Sequence, residues 1–178
     1  MGALNINIFG SPGVGKSTTA AGIFHEMKKL DYKVEYLTEY AKDLVYSKDF
    51  YRLKDQTYIL AKQHHPIFKL NEELDFLVND GPFLLGLIYA QDKDGFPIEE
   101  FKDFLLKLWK KYNHKNYFLI RNPNLEYQEF GREQTLEESI KLADELKKMF
   151  KIYNIPFTEV LAGEDAVRTI LEDLNIRI

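Results

Sequence analysis

The chain contains no cysteine among its 178 residues. Disulfides, thiol nucleophiles and thiolate metal sites are therefore excluded from its chemistry. No run of about 18 apolar residues occurs, so no transmembrane helix is expected. The first residues lead into a strand-like segment, without the plan of a signal peptide. A soluble protein of the cytoplasm is the expectation. Positive charge is also scarce, with 24 Lys and Arg against 28 Asp and Glu and a net charge of −4. A global basic surface for non-specific nucleic-acid binding is thus missing, although a summed charge hides local patches. Repeats, low-complexity segments and linkers rich in Pro, Gly or Ser are lacking too.

Apolar residues make up 45% of the chain and aromatic residues 14%, enough for a packed core. The length suits one domain, taken as residues 1–178. Leu4 to Phe9 is short, β-branched and apolar and runs into a glycine-rich turn, which predicts a buried strand. From Lys16 the spacing becomes helical, with Ala20, Ile23, Phe24, Met27 and Leu30 on one face. Lys33 to Thr38 predicts a second strand. Asp55 to Leu70 predicts a helix that Pro66 ends or kinks. Leu74 to Asn79 predicts a third strand, followed by Asp80-Gly81-Pro82, with Pro82 opening a new helix.

Ile98, Phe101, Phe104, Leu105, Leu108, Trp109 and Tyr112 mark the next amphipathic helix, and Asn116 to Ile120 a fourth strand. Arg121 to Gln134 is polar and rich in helix breakers, which predicts a long loop. Thr135 and Glu138 have the spacing of a capping box. The helix behind them carries Leu136, Ile140, Ala143 and Leu146 inward. Pro156 to Val160 predicts a fifth strand, and a last helix buries Val167, Ile170, Leu171 and Leu174. Strands alternating with helices predict an α/β fold, a mostly parallel five-stranded sheet with helices on both faces. Ligands of such sheets bind at the carboxyl ends of the strands, here at residues 10–18, 38–40, 80–83, 121–132 and 161–164.

Gly10-Ser11-Pro12-Gly13-Val14-Gly15-Lys16-Ser17 has the form G-x-x-x-x-G-K-[ST] of a phosphate-binding loop. The glycines let backbone N–H groups turn inward onto phosphate oxygens. Lys16 brings charge to the β- and γ-phosphates, and the Ser17 hydroxyl can ligate Mg²⁺. Thr18 follows at the start of a helix whose amino end favours an anion. The fold expected is therefore the three-layer sandwich of a P-loop NTPase that binds ATP with Mg²⁺. A guanine-reading N-K-x-D segment is missing, since Asn113-His114-Lys115-Asn116 lacks the Asp, and no D-x-x-G switch follows the third strand. A small kinase remains.

Such a kinase needs a carboxylate to receive the acceptor's proton, a carboxylate to organise Mg²⁺, and a mobile loop of arginines. Asp80 is placed to hold Mg²⁺ through water or to bind the acceptor, or else to cap the helix at Pro82. Glu39 ends the second strand and serves as general base, as a hydrogen-bond partner of the acceptor hydroxyl, or as a dipole-complementing first-turn residue. Asp43, one turn on, competes for that role. Arg121 and Arg132 flank the long loop, which makes residues 121–134 a candidate lid. Tyr40, Phe83 and Tyr89 are candidates to stack on an acceptor ring. His64 and His65 are adjacent and cannot share a helix face, which argues against a metal site there.

Strand-GSPGVGKST-helix, then TEYAKD, NDGPFLLGLIYA and RNPNLEYQEFGREQT, resembles the ribosylnicotinamide-kinase-like P-loop proteins over nearly the whole chain. Many of these are bacteriophage proteins, which would place this one in a host's cytoplasm. The resemblance implies Lys16 and Ser17 at the phosphates and Mg²⁺, Glu39 and Asp80 facing the acceptor, Arg121 and Arg132 in the lid, and Ala162 and Gly163 near the adenine. The Gly-Pro pair after Asp80 departs from the family pattern. The activity implied is transfer of the γ-phosphoryl group of ATP to a hydroxyl of a nucleoside, nucleotide or modified base. One alternative is a kinase of hydroxymethylated pyrimidine in DNA, which needs a local groove such as Lys48, Arg52, Lys54, Lys110 and Lys111 would line. Another is a nucleotide-dependent switch or assembly ATPase with a protein partner.

Overall fold

The computed structural model describes residues 2–90, 95–123 and 136–178. Five parallel strands form one sheet in the order β2-β3-β1-β4-β5, namely β1 (Leu4–Gly10), β2 (Val34–Leu37), β3 (Phe76–Asn79), β4 (Asn113–Ile120) and β5 (Thr158–Leu161). Every pairing in it is parallel. The carboxyl ends of all five strands therefore point the same way. β1 is central because its two faces must both be covered, and all its residues after Leu4 are buried.

Alternation along β1 sorts its side chains between two cores. Ile6 and Ile8 pack with Ala20, Ile23 and Met27 of α1 (Lys16–Lys29) and with Ile170 and Leu171 of α8 (Ala166–Asp173). Phe9 faces the other way, into a core that also holds Leu60 and Ile67 of α4 (Gln56–Leu70), Leu105 and Trp109 of α6 (Ile98–Trp109), and Leu146 and Phe150 of α7 (Leu136–Ile152). Helices thus cover both faces, giving the three-layer α/β sandwich.

On the face that Phe9 shares, the amino-terminal half of the sheet is polar. Asn5, Asn7, Asn79 and Asn116 are all buried. Asn79 Nδ2 donates to Asn7 Oδ1 at 3.1 Å, Asn7 Nδ2 to Asn116 Oδ1 at 2.9 Å, and Asn116 Nδ2 to the Pro156 carbonyl at 2.9 Å. His114 stacks on Trp109 with ring centroids 3.5 Å apart. Burial pushes its pKa down to about 4, against the hydrogen bond that its Nε2 donates to the Trp109 carbonyl. A row of carboxamides that satisfy one another can sit in a core without the desolvation cost of a lone polar group.

Several local expectations are corrected. α4 runs through Pro66 to Leu70. The carbonyl that Pro66 leaves without a donor belongs to exposed Lys62, where water can serve it. Pro82 stands just before a 3₁₀ turn (Phe83–Leu85), which leads into α5 (Gly86–Tyr89). Between β2 and α4 the chain forms two short helices, α2 (Tyr40–Tyr46) and α3 (Phe50–Leu53), which the spacing had not marked. Ile140 is 51% exposed, whereas α7 buries Leu146 as expected, and Ser139, Met149 and Phe150 besides. Phe104 is also exposed on α6. Thr135 lies outside the described residues.

Candidate active site

The turn after β1 is built on three glycines with positive φ: Gly10 at 144°, Gly13 at 82° and Gly15 at 98°. A side chain is disfavoured there, and a Cβ at Gly10 would stand 2.8 Å from Val14 Cγ1. Val14 is buried and anchors the loop, as does Ser11. Ser139 Oγ donates to the Pro12 carbonyl at 2.8 Å, tying α7 to the loop. Lys16 curls over the turn, its Nζ donating to the Gly10 and Ser11 carbonyls at 3.1 Å each.

A cavity of about 890 Å³ opens beside this loop. Gly10, Gly13, Gly15, Lys16, Ser17 and Thr18 form one end of it, together with Glu39 and Lys42. Val45, Leu53, Ile59, Leu85, Tyr89 and Phe96 form an apolar wall, and the carboxamides of Gln56 and Gln63 interrupt that wall. One cavity therefore joins a cationic end to an apolar compartment of the size and composition of a small-molecule site.

Glu39 caps α2 at the mouth of β2, with extended backbone and no side-chain capping bond. It is not spent on its own helix. Burial raises its pKa, the positive charge of Lys16 counteracts this, and the Asp80 carboxylate raises it further. Tyr89 keeps 42% of its surface open, yet crowding around its hydroxyl and the negative charge of Glu39 push its pKa up to about 12.

Gly81 explains how Glu39 comes to stand there. A Cβ on Gly81 would lie 2.5 Å from both Glu39 Cβ and Cγ and 2.8 Å from its Cα. Only a glycine lets the end of β3 pass so close. Two hydrogen bonds fix the approach: the Asp80 N–H donates to the Leu37 carbonyl at 3.1 Å, and Gln63 Nε2 to the Gly81 carbonyl at 2.9 Å. Nothing but its position in Asp80-Gly81-Pro82 could have marked this glycine in the sequence.

Asp80 is 2% exposed and does not cap the following turn. Its Oδ2 accepts from Tyr36 Oη at 3.3 Å, while its Oδ1 is buried without a hydrogen-bond partner. Burial first, and the Asp80 charge second, raise the Tyr36 pKa. Asp80 is not on the cavity wall, but its orphaned carboxylate oxygen at the carboxyl end of β3 and the Ser17 hydroxyl on that wall are donors that fit a Mg²⁺ ion held partly through water. No cluster of three or more His, Asp or Glu able to hold a metal occurs among the described residues. Such an ion would accordingly depend on phosphate oxygens for most of its shell.

The remaining expectations fare differently. Phe83 is 1% exposed and packs in the core against Trp109, with centroids 5.1 Å apart, and against His64. It is a core residue and cannot stack on an acceptor. Tyr40 turns away from the cavity; its hydroxyl lies 2.8 Å from that of Tyr58, and Lys62 sits over both rings. Tyr89 does line the cavity. His64 binds the Tyr112 hydroxyl at 2.6 Å.

Arg121 directly follows β4, and Ala162 and Gly163 directly follow β5, all at the same end of the sheet as the phosphate loop but not on the cavity wall. Arg132 and most of the 121–134 loop lie outside the described residues. The proposed basic groove does not assemble. Lys54 reaches the cavity, whereas Lys110 and Lys111 precede β4 and so lie at the opposite end of the strands.

No helix among the described residues is long and apolar enough to cross a membrane. No curated protein sequence matches the chain. Among solved structures, the chain is similar to deoxyadenosine kinase from M. mycoides. With dATP bound, the identity is 22% and the TM-score 0.57, over 96% of this chain and 99% of that one. With dCTP bound, the values are 18% and 0.61, over 96% and 98%. A third, with the product dCMP and a flexible dCDP, gives 19% and 0.61 over the same shares. At such identities the likeness speaks for the fold. Residues 5–168 match the family described as an AAA domain, and the chain belongs to that family of P-loop proteins.

Proposed function

We propose that this protein is a kinase that moves the γ-phosphoryl group of ATP, with Mg²⁺, to a hydroxyl of a small nucleoside or nucleotide. One observation carries the proposal: a half-buried carboxylate, Glu39, shares a single cavity with the phosphate-loop residues Lys16 and Ser17. A hydrolase of nucleotides has no need of an apolar compartment beyond the carboxylate. A kinase does, because it must hold an acceptor ring with one hydroxyl facing the phosphate.

In the proposed reaction the acceptor oxygen forms a bond to Pγ, the bond from Pγ to the bridging oxygen breaks, and ADP leaves. Glu39 takes the acceptor's proton. Its raised pKa suits a base that must receive a proton as the hydroxyl becomes nucleophilic. Lys16, now curled onto the loop carbonyls, would turn to the β- and γ-phosphates, and backbone N–H groups of residues 13–18 would hold their oxygens. Ser17 and Asp80 would hold Mg²⁺, which when bound would supply charge neutralisation at the phosphates. The apolar wall, with Tyr89 and Phe96, would exclude water and seat a ring, and Gln56 and Gln63 offer amides to a base edge. The deoxynucleotides bound by the similar kinases support a nucleoside-type acceptor. The finer assignment to ribosylnicotinamide-kinase-like proteins rests on the sequence resemblance alone.

The test is a transfer assay with γ-labelled ATP and Mg²⁺. Its acceptors are free deoxynucleosides and ribonucleosides, their monophosphates, nicotinamide riboside, and DNA with and without hydroxymethylated pyrimidine. Label on a small acceptor is the expected result. Label only on modified DNA, or only as free phosphate, overturns the proposal in favour of a base kinase or a switch ATPase.

A further inference from the structure

Lys42 stands in the first turn of α2, three residues after Glu39, and lines the same cavity. Its Nζ donates to Ser17 Oγ at 3.4 Å, the hydroxyl at the second position of α1. Among the described residues it makes no ion pair, although Asp43 is its neighbour on the helix. This is a strange resting place for an exposed lysine. The amino end of α1 carries partial positive charge and disfavours a cation. Lys16 already brings a second ammonium to the same end of the cavity.

Lys16, Lys42 and the amino terminus of α1 gather positive charge at one end of the cavity, against the single carboxylate of Glu39 among its described lining residues, and this favours a further anion there. The phosphate loop says which anion that is. Ser17 sits where the outermost phosphate and its metal ion would be, so a cation in reach of its hydroxyl is in reach of that phosphate. Lys42 also bears on Glu39: burial raises the Glu39 pKa, and Lys42 is among the charges that pull it back. The ammonium is therefore close to Ser17 at the donor end and within electrostatic reach of the base.

We propose that Lys42 is a second phosphate-binding cation, which contacts the terminal phosphate of bound ATP and neutralises that group as it transfers. The transfer half of this rests on the kinase proposal. The contact half requires only that the loop bind nucleotide. A cation carried by α2 couples the acceptor side of the cavity to the donor, a role that lid arginines play in other kinases. Lys42 is exposed, so its replacement does not open the core.

The experiment compares wild type, Lys42→Ala and Lys42→Arg by calorimetric titration with Mg-ATP and with Mg-ADP. It then measures transfer to whichever acceptor the wild type uses. A lost contact to the last phosphate shows as a fall of about tenfold in ATP affinity in Lys42→Ala, with ADP affinity within about twofold and an unchanged Tm. Lys42→Arg should keep the preference for ATP, because a guanidinium also binds phosphate. In the transfer assay, kcat of Lys42→Ala should fall about a hundredfold, with the acceptor KM little changed. An unchanged ratio of ATP to ADP affinity, or equal losses for both nucleotides, overturns the proposal. If the wild type transfers to no acceptor, the kinase proposal fails, and the ATP-to-ADP comparison still decides the Lys42 contact.

Discussion

Replacing Gly81 by alanine is the smallest change that tests how the base is held. The added methyl would meet Glu39 Cβ and Cγ at 2.5 Å and Cα at 2.8 Å. Ordinary carbon contacts lie at about 3.5–4.0 Å, so Glu39 or Gly81 must retreat by roughly 1 Å. Gly81 cannot retreat easily, because Gln63 holds its carbonyl at 2.9 Å and Asp80 is bonded to Leu37 at 3.1 Å. Glu39 has the less constrained side chain, but its Cα is also in the way. Overpacking of this kind costs about 1–3 kcal/mol. For a domain of this length that is a fall of roughly 2–12 °C in Tm. A displacement of about 1 Å at the base costs transfer on the order of a hundredfold. Thermal melting and the labelled-ATP assay, run on the same preparation, read both effects. A Gly81→Ala protein that melts and transfers like wild type would refute the close packing of Gly81 on Glu39. A protein that loses only stability would refute the role given to Glu39.

Other substitutions separate chemistry from packing. Lys16→Ala removes hydrogen bonds to the Gly10 and Ser11 carbonyls, so it should cost about 1–3 kcal/mol in a denaturant melt. Transfer should fall by about a thousandfold, and retained turnover would sink the phosphate-loop assignment. Because burial raises the Glu39 pKa, the folded state holds that proton more tightly than the unfolded state does. Stability contributed by Glu39 is therefore fully present below its unfolded pKa and is lost as pH rises through the folded value. Glu39→Gln should consequently melt at or above the wild-type temperature at pH 7 while losing transfer by about 10²–10⁴-fold; a lower Tm contradicts this. For the wild type, kcat/KM should decline on the acid side at a pH above the ordinary carboxylate range, and a decline within that range counts against Glu39 as base. Phe83→Ala should cost about 3–5 kcal/mol without a selective rise in acceptor KM. A selective rise would restore Phe83 to the acceptor site.

Much of the fold was legible because its signals are local. Glycines with positive φ, a lysine and a hydroxyl at fixed spacing, and the change from strand to helix periodicity at Lys16 are all contained in about twenty residues. Misjudgements came where neighbours outweigh local pattern. Ile140 and Phe104 look core-facing by spacing but fall on faces left open by α7 and α6. Phe83 looks available for stacking after a strand end, yet it is covered by Trp109 and His64 from distant segments. The buried asparagines of β1 interrupt an apolar pattern, and their reason appears only when β3 and β4 bring Asn79 and Asn116 alongside.

The sequence by itself determined that a phosphate-binding loop joins a buried strand to a helix, and that five strands alternate with helices in an α/β chain. Those features depend on residues within a turn or two of one another, where backbone sterics and hydrophobic period act directly. The tertiary structure alone decided the strand order β2-β3-β1-β4-β5, the pressing of Gly81 against Glu39, and the reach of Lys42 to Ser17. Each of these joins residues more than twenty positions apart. Their proximity is set by which buried surfaces pair best in the folded chain, which no local pattern records.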